Sequence, residues 1–331
     1  MAQRLTAGLE RPLTFGEMTI AERTYIAVEV KLSDGTVGAA RTLDRGFDLR
    51  SVVEDIVRPA FQGASVDDPA ETWRAALRRA SPSLSAGAGL RALSIVDIAF
   101  RNAIRLSTQV PHNVTPPECP VFMIVGYPPD STPDEVAAET LAAIEAGAAG
   151  VKLPRSTSVE ATRDRLAAAT GVAGGKRVAL DLAWSCASPD TAAHIVDGFE
   201  LAWLEDPFPP GNVPALKALR SMLSFPLASG DEDASLYSPD VLIDSEAVDI
   251  VRLDATCQGG VTRMIALAEK HAGSNVVVSW HMNSEVHAWL ARELSLNTIS
   301  IEVSASGAGV DPLEEREFGA ARVLPLLRGK S

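Results

Sequence analysis

A closed parallel α/β barrel behind a small N-terminal α+β unit is the fold this sequence predicts, on three observations. From residue 121 onward, eight short apolar runs alternate with helical patterns, the rhythm of parallel strands joined by crossover helices. Nearly every run closes on an ionisable residue. The first third reads differently, as two strands followed by helices, which is an α+β pattern.

In the first third, "TYIAVEVK" (24–31) alternates as a half-buried strand, "SDGT" is a hairpin turn at Asp34-Gly35, and "VGAARTL" returns. The segment before it, "MAQRLTAGLERPLTF", is broken by charges and lacks an apolar signal core. Helical patterns follow in "RSVVEDIVRPAFQ", "PAETWRAALRRA" and "GLRALSIVDIAFRNAIRL". The Pro-rich "TQVPHNVTPPECP" reads as a linker. The expected division is 1–115 for the α+β unit, 116–315 for the barrel, and 316–331 as a C-terminal segment packing back on the first unit.

The barrel strands are read in "VFMIVGY", "AGVKL", "RVALDLAW", "LAWLEDP", "PLASGDED", "VDIVRLD", "NVVVSWH" and "TISIEVS". The first helix, "STPDEVAAETLAAIEAGA", has Ser131 or Thr132 as cap and Pro133 in its first turn. Eight strands fit a closed barrel, and the G-x-G-x-x-G turn of an open dinucleotide-binding sheet is missing. "GVAGGKRV" (171–178) fails as a phosphate loop: Thr170 stands where the first Gly belongs and Arg177 where Ser or Thr belongs. It reads as a helix C-cap and turn.

The 331 residues, 46% of them hydrophobic, suffice for one large core and a smaller one. A net charge of −13 argues against nucleic acid or an anionic membrane as partner. No run is long and apolar enough to span a bilayer. Three cysteines, Cys119, Cys186 and Cys257, form no C-x-x-C pair, so neither a disulfide framework nor a zinc site is expected. These features fit a cytoplasmic protein.

In such a barrel the C-terminal strand ends carry the chemistry. The residues expected there are Lys152, Asp181, Glu205, Asp231, Asp254, His281 and Glu302. Asp181, Glu205 and Asp231 close three consecutive strands. Three convergent carboxylates repel unless a cation sits among them, and oxygen ligands select Mg²⁺ first and Mn²⁺ second. The competing reading is loop carboxylates that cap helices. Glu232 rivals Asp231, and the Gly-Asp order favours Asp231 as the inward residue. Asp254 and His281 close neighbouring later strands, so the carboxylate can fix the imidazole tautomer and raise its basicity. His112, His194, His271 and His287, in the linker or on helices, are read as structural.

These residues resemble the enolase superfamily, in its mandelate racemase branch (mandelate racemase/muconate lactonizing enzyme-like). The likeness runs nearly the whole chain: "VKLP", "LDLAW", "WLEDP", "ASGDE", "LDATCQGG", "SWHMNSEVHAWL" and "IEVSASGAGVDPL", in this order and spacing. It implies a (β/α)7β TIM-like barrel with an N-terminal α+β capping domain. It implies Asp181, Glu205 and Asp231 as Mg²⁺ ligands and Asp254–His281 as catalytic dyad. Glu302 then becomes the carboxylate that hydrogen-bonds the enolate end of the substrate, and Lys152 the first lysine of a K-x-K motif. The second lysine is Pro154 here, the Asn often found after the first ligand is Ala183, and the third ligand is Asp where mandelate racemases have Glu.

The implied reaction removes a proton α to a carboxylate. With Pro154 in place, only the His281 face holds a base, which favours removal of the α-proton and loss of a β-hydroxyl over racemisation. The expected activity is a hydro-lyase giving a 2-keto-3-deoxy acid from an acid sugar. Expected substrate contacts are Thr14 and Phe15, the loop from Thr42 to Arg45 with Arg45 itself, Arg155 and Asn283; a homo-oligomer is expected. The alternatives are a racemase or epimerase of the same superfamily, an impaired relative that binds metal and ligand only, and a Schiff-base aldolase using Lys152.

Overall fold

The computed structural model describes residues 1–15, 18–108, 119–173 and 177–304. The N-terminal unit is an antiparallel sheet in the order β1 (Ala2–Phe15), β2 (Met18–Lys31), β3 (Val37–Leu43). Sequence reading found two of these strands and missed β1. The cause is its edge position. β1 pairs with β2 alone, and Ala2, Ala7 and Leu13 are its buried apolar residues. Charged residues can occupy the rest, so no hydrophobic alternation marks it.

Helical turns run from Leu49 to Phe61, with one widened π turn over Val53–Val57. Helices Pro69–Arg79 and Gly87–Ser107 follow. Asp68 caps the former by accepting from the Glu71 amide at 2.8 Å. The long helix lies across the sheet, and Ile26, Val28, Leu49, Val53, Leu90, Leu93 and Ile95 form the core between them. Gly38 on β3 makes that approach possible, since a Cβ there would lie 2.2 Å from the Ala103 amide nitrogen.

The barrel strands are β4 (Val121–Ile124), β5 (Gly150–Pro154), β6 (Val178–Asp181), β7 (Trp203–Glu205), β8 (Leu227–Ser229), β9 (Ile250–Leu253), β10 (Val277–Trp280) and β11 (Asn297–Ser304). All neighbours are parallel, and β11 closes on β4. A crossover helix lies between each consecutive pair, which makes the expected (β/α)7β barrel with its cap. Thr132, not Ser131, caps the first of them: its Oγ1 accepts from the Glu135 amide, and its own amide donates to the Glu135 carboxylate. Phe122, Ala179, Trp203, Ala228 and Ile250 make one apolar cluster of the barrel. A larger cluster, with Val151, Leu180, Leu204, Leu253 and Val278, joins the strands to their helices.

Cap and barrel are joined by polar contacts as well. Thr42 Oγ1 donates to Thr256 Oγ1 at 3.0 Å. Arg45 and Arg91 both hold Glu232, Arg91 at 2.7 Å. Asp97 on the long helix accepts from the Thr262 amide at 2.8 Å, and Ser94 Oγ accepts from the Gly259 amide at 2.7 Å. The expected boundaries at 115/116 and 315/316, His112 and the segment 316–331 lie outside the described residues. No helix among the described residues is long and apolar enough to cross a membrane.

Candidate active site

The site is built where cap loops meet the C-terminal ends of the barrel strands. Two of the expected strand-end residues stand deeper than predicted. Lys152 is the third residue of β5 and Glu302 the sixth of β11. Asp231 stands two residues past β8. The strands are shorter or longer than their apolar runs, so the inward groups occupy two levels rather than one.

At the deeper level, Lys152 Nζ lies 2.7 Å from Glu205 Oε1, 2.8 Å from Glu302 Oε2 and 3.5 Å from Asp181 Oδ2. Burial alone would pull the ammonium down, but Glu205 and Glu302 hold it charged, well above its ordinary value. Arg252 completes the level. Its Nε is 3.2 Å from Glu205 Oε2, and its Nη2 bonds Glu302. Trp203 Nε1 also donates to Glu205 Oε2, at 2.7 Å. Sequence reasoning missed Arg252, although strand alternation puts it on the same face as Asp254.

Above it lie the carboxylates. Glu205, Asp206 and Asp231 bring oxygens within 4.8 Å of one another. Asp206 was not among the expected ligands; its Oδ1 accepts from Ser229 Oγ and from the Gly230 amide at 3.0 Å. Asp181 joins them electrostatically. Burial, opposed by Lys152 and reinforced by Glu205 and Asp231, raises its carboxyl to about 7. Asp206 is pushed well above its usual range by burial and by Asp231, Glu205 and Asp181. Such mutual repulsion in an all-oxygen donor set is what a hard divalent cation relieves. The cluster of Glu205, Asp206 and Asp231 therefore fits a hard divalent cation such as Mg²⁺; Asp181, expected among the ligands, feels its charge but is not part of the cluster.

Asp231 and Glu232 both stand past the end of β8, and both approach the dyad, Glu232 bringing an oxygen within 4.8 Å of ligand atoms of Asp254 and His281. Asp231 Oδ2 lies 3.7 Å from Arg252 and 3.7 Å from His281 Nε2. Glu232 is also held by two arginines of the cap.

The dyad forms. His281 Nδ1 is 3.0 Å from Asp254 Oδ2, so Nε2 faces the carboxylates. Burial opposes the imidazolium, but Asp231 and the Asp254 hydrogen bond carry His281 up to about 10. Asp254 is itself fixed. Its Oδ1 accepts from the Thr256 amide and hydroxyl, both at 2.7 Å, and its amide donates to Gln258 Oε1 at 2.9 Å. His287 is structural, as read. Its Nδ1 donates to the Met282 carbonyl at 2.6 Å, and its Nε2 accepts from the Ala255 amide at 3.0 Å. Those two bonds hold the loops behind Asp254 and His281.

A cavity beside the dyad is lined by Tyr25, Arg41 and Thr42 from the cap sheet, Arg91 from the long helix, and Thr256 and Asn283 from the barrel. Of the expected substrate contacts, Asn283 and Thr42 face this cavity. Arg45 does not line it; its guanidinium bonds Glu232. Arg155 does not line it either; its Nη1 lies 3.5 Å from the Ser156 carbonyl. The side chains of Thr14 and Phe15 lie outside what is described. Arg41 and Arg91 were missed because their neighbours in sequence give no sign of which barrel loop they meet.

Backbone strain gathers here. Among the described residues, seven that are not glycine have positive φ, and five of them, Ala183, Trp184, Asp206, Met282 and Asn283, follow the ends of β6, β7 and β10. Such strain persists where surrounding contacts enforce it, commonly at functional sites.

The pattern of the enolase C-terminal domain-like family matches residues 135–315. The chain belongs to that family. Among curated relatives, a D-galactonate dehydratase family member from Oceanicola granulosus is 37% identical over 82 residues, 24% of this chain and 20% of that protein. The first curated relatives are aligned over 20% to 38% of their own length. Among solved structures, L-talarate/galactarate dehydratase from Salmonella typhimurium LT2 superposes with a TM-score of 0.79 at 21% identity, covering 91% of this chain and 80% of that one. A racemase from Streptomyces coelicolor A3(2) with bound magnesium superposes at 0.82 and 18% identity, over 92% and 88%. These superpositions show that the enolase-type fold extends through the cap. Against the family's K-x-K motif, β5 keeps the first lysine and closes on Pro154, the last residue paired with β6, opposite Asp181.

Proposed function

We propose that this chain is a divalent-cation-dependent acid-sugar dehydratase. It takes the proton α to a carboxylate, expels the β-hydroxyl and gives a 2-keto-3-deoxy acid. The observation that carries this reading is the asymmetry of the site. An Asp254–His281 dyad at 3.0 Å stands on one side of the carboxylates, while the position of a second lysine base is Pro154. Dehydratases among both sets of relatives support the same reading.

Asp181, Glu205 and Asp231, with Asp206 beside them, would hold the cation. A bound Mg²⁺ supplies Lewis-acid polarisation of the substrate carboxylate. Lys152 lies next to that position and presents a fixed positive charge to the oxygen on which negative charge grows. The charge of Asp231 that keeps His281 protonated in the metal-free site would be offset by a cation held there; the neutral imidazole then takes the α-proton on Nε2, while Asp254 keeps Nδ1 protonated and steadies the imidazolium that forms. The same Nε2–H then protonates the departing β-hydroxyl, which leaves as water. The enol product tautomerises to the 2-keto acid. Arg41 and Arg91, in the cavity wall, suit the oxygen-rich remainder of the substrate.

Epimerisation needs a proton donor on the opposite face. Lys152 is the neighbouring candidate, and Glu205 and Glu302 hold its proton tightly. The same restraint counts against a Schiff-base role, which needs the neutral amine. The test is a screen of acid sugars with Mg²⁺, read as 2-keto acid formed. Product from at least one, lost with chelator and in H281N, supports the reading. In D₂O, exchange of the α-proton together with conversion between α-epimers and no keto product would replace it with an epimerase.

A further inference from the structure

Lys152, Glu205, Arg252 and Glu302 come from β5, β7, β9 and β11, four alternate strands of the barrel. Alternate strands supply the four side chains of one layer in such barrels, and that layer is ordinarily branched apolar residues. Here it is a closed ring of alternating charge. Lys152 meets Glu205 at 2.7 Å, Glu205 meets Arg252 at 3.2 Å, Arg252 meets Glu302, and Glu302 returns to Lys152 at 2.8 Å. Every member is at most 4% exposed. Arg252 is pinned from a third side, its Nη1 donating to Ser279 Oγ at 2.5 Å.

The ring sums to zero charge, so the buried lysine, arginine and two glutamates compensate one another without any bound ion. Both oxygens of Glu205 are also already engaged, Oε1 by Lys152 and Oε2 by Arg252 and Trp203. Arg252 Nη2 further reaches to 3.7 Å from Asp231 Oδ2. A divalent cation arriving at Glu205 and Asp231 meets a fixed positive charge that already shares both.

We propose that Arg252 is a positioning residue that acts as a built-in cation: it holds the carboxylate floor assembled while no metal is bound, and it weakens the site's affinity for a divalent ion. This rests on reading the carboxylate cluster as a divalent-cation site. Removing the guanidinium leaves Glu205 and Glu302 with Lys152 alone. The metal-free protein then loses stability, and the site gains attraction for a doubly charged ion. One unit charge at such a distance in a protein interior alters affinity by about tenfold or more.

The experiment is Mg²⁺ titration calorimetry and thermal melting of the full chain, first stripped with chelator, for wild type, R252Q and R252K. R252Q is expected to bind Mg²⁺ at least about tenfold more tightly, to melt lower when metal-free, and to gain more from added Mg²⁺. R252K keeps the charge and is expected to stay near wild type in affinity. Should R252Q melt too low when stripped, R252K against wild type still reads the metal-free stability. Unchanged or weaker Mg²⁺ binding by R252Q, with wild type binding normally, overturns the role given to Arg252 and leaves the cation site standing. Absence of binding by both proteins overturns the cation site and this inference together.

Discussion

In the proposed reaction, His281 and Pro154 divide the chemistry between two faces of one site. The imidazole does two jobs in the proposed reaction, taking the α-proton and returning it to the leaving hydroxyl. H281N is therefore expected to lower turnover of a verified substrate by at least about 10²–10⁴-fold, with Mg²⁺ affinity retained by calorimetry. D254N should retain the fold by circular dichroism and lose turnover through the wrong tautomer. Near-normal turnover in H281N would remove the dyad from the mechanism. D181N and E205Q are expected to lose Mg²⁺ binding itself, checked by the same calorimetry; binding that survives in both would move the ion to Asp206 and Asp231. That these residues gather in one site was legible because an ionisable group buried at a strand end has to be paired, metal-bound or part of the chemistry. Asp206 was not: it directly follows Glu205, and simple alternation would turn it away. Its φ of 40° breaks the alternation, and no sequence rule announces that.

Elements whose hydrophobic period matches their burial were readable, and the barrel strands are of that kind. Most of their residues are buried, so each appears as a short apolar run. β1 shows the opposite case, since its contacts come from backbone pairing with β2 and leave little trace in side-chain type. Gly38 marks another limit. Nothing in "DGTVGAARTL" tells that β3 touches a helix backbone, yet the Ala99 carbonyl would lie 2.3 Å from a Cβ at that position. G38A should accordingly destabilise the cap by about 1–3 kcal/mol, the ordinary range for overpacking. Denaturant unfolding measures it, and a loss below about 0.5 kcal/mol would mean that the sheet and helix can part more readily than their contact suggests.

For the molecule as a whole, the order of strands and helices gave the architecture, because crossover rules leave few ways to arrange eight such units. How the cap docks was not readable, since it depends on pairs far apart in sequence. Glu232 with Arg45 and Arg91 is the clearest of these. Burial alone would raise the Glu232 carboxyl, but the two guanidiniums draw it far below its ordinary 4.5. A carboxylate depressed on folding stabilises the fold above its unfolded value and loses that contribution as pH falls below it. Wild type should thus exceed E232Q in stability near neutrality, by on the order of 3 kcal/mol. The gap should narrow below about pH 4.5. Thermal melts of both proteins from about pH 7 down to about 3.5 check this, and a gap that stays constant would show that the charge of Glu232 is not what joins the two parts.

Asp97 and Ser94 have a consequence for how the chain can be divided. The barrel helix Gly260–Lys270 opens on Gly259 and Gly260, both at positive φ, and neither carries a side chain that could satisfy the first free amides. Those amides are satisfied by residues of the cap helix more than a hundred and fifty positions earlier. A fragment starting after the cap would carry a frayed helix on its wall. Supplied separately, the two halves should each be poorly ordered alone and regain order on mixing, so this scaffold is suited to split-protein complementation rather than to use as a free-standing barrel.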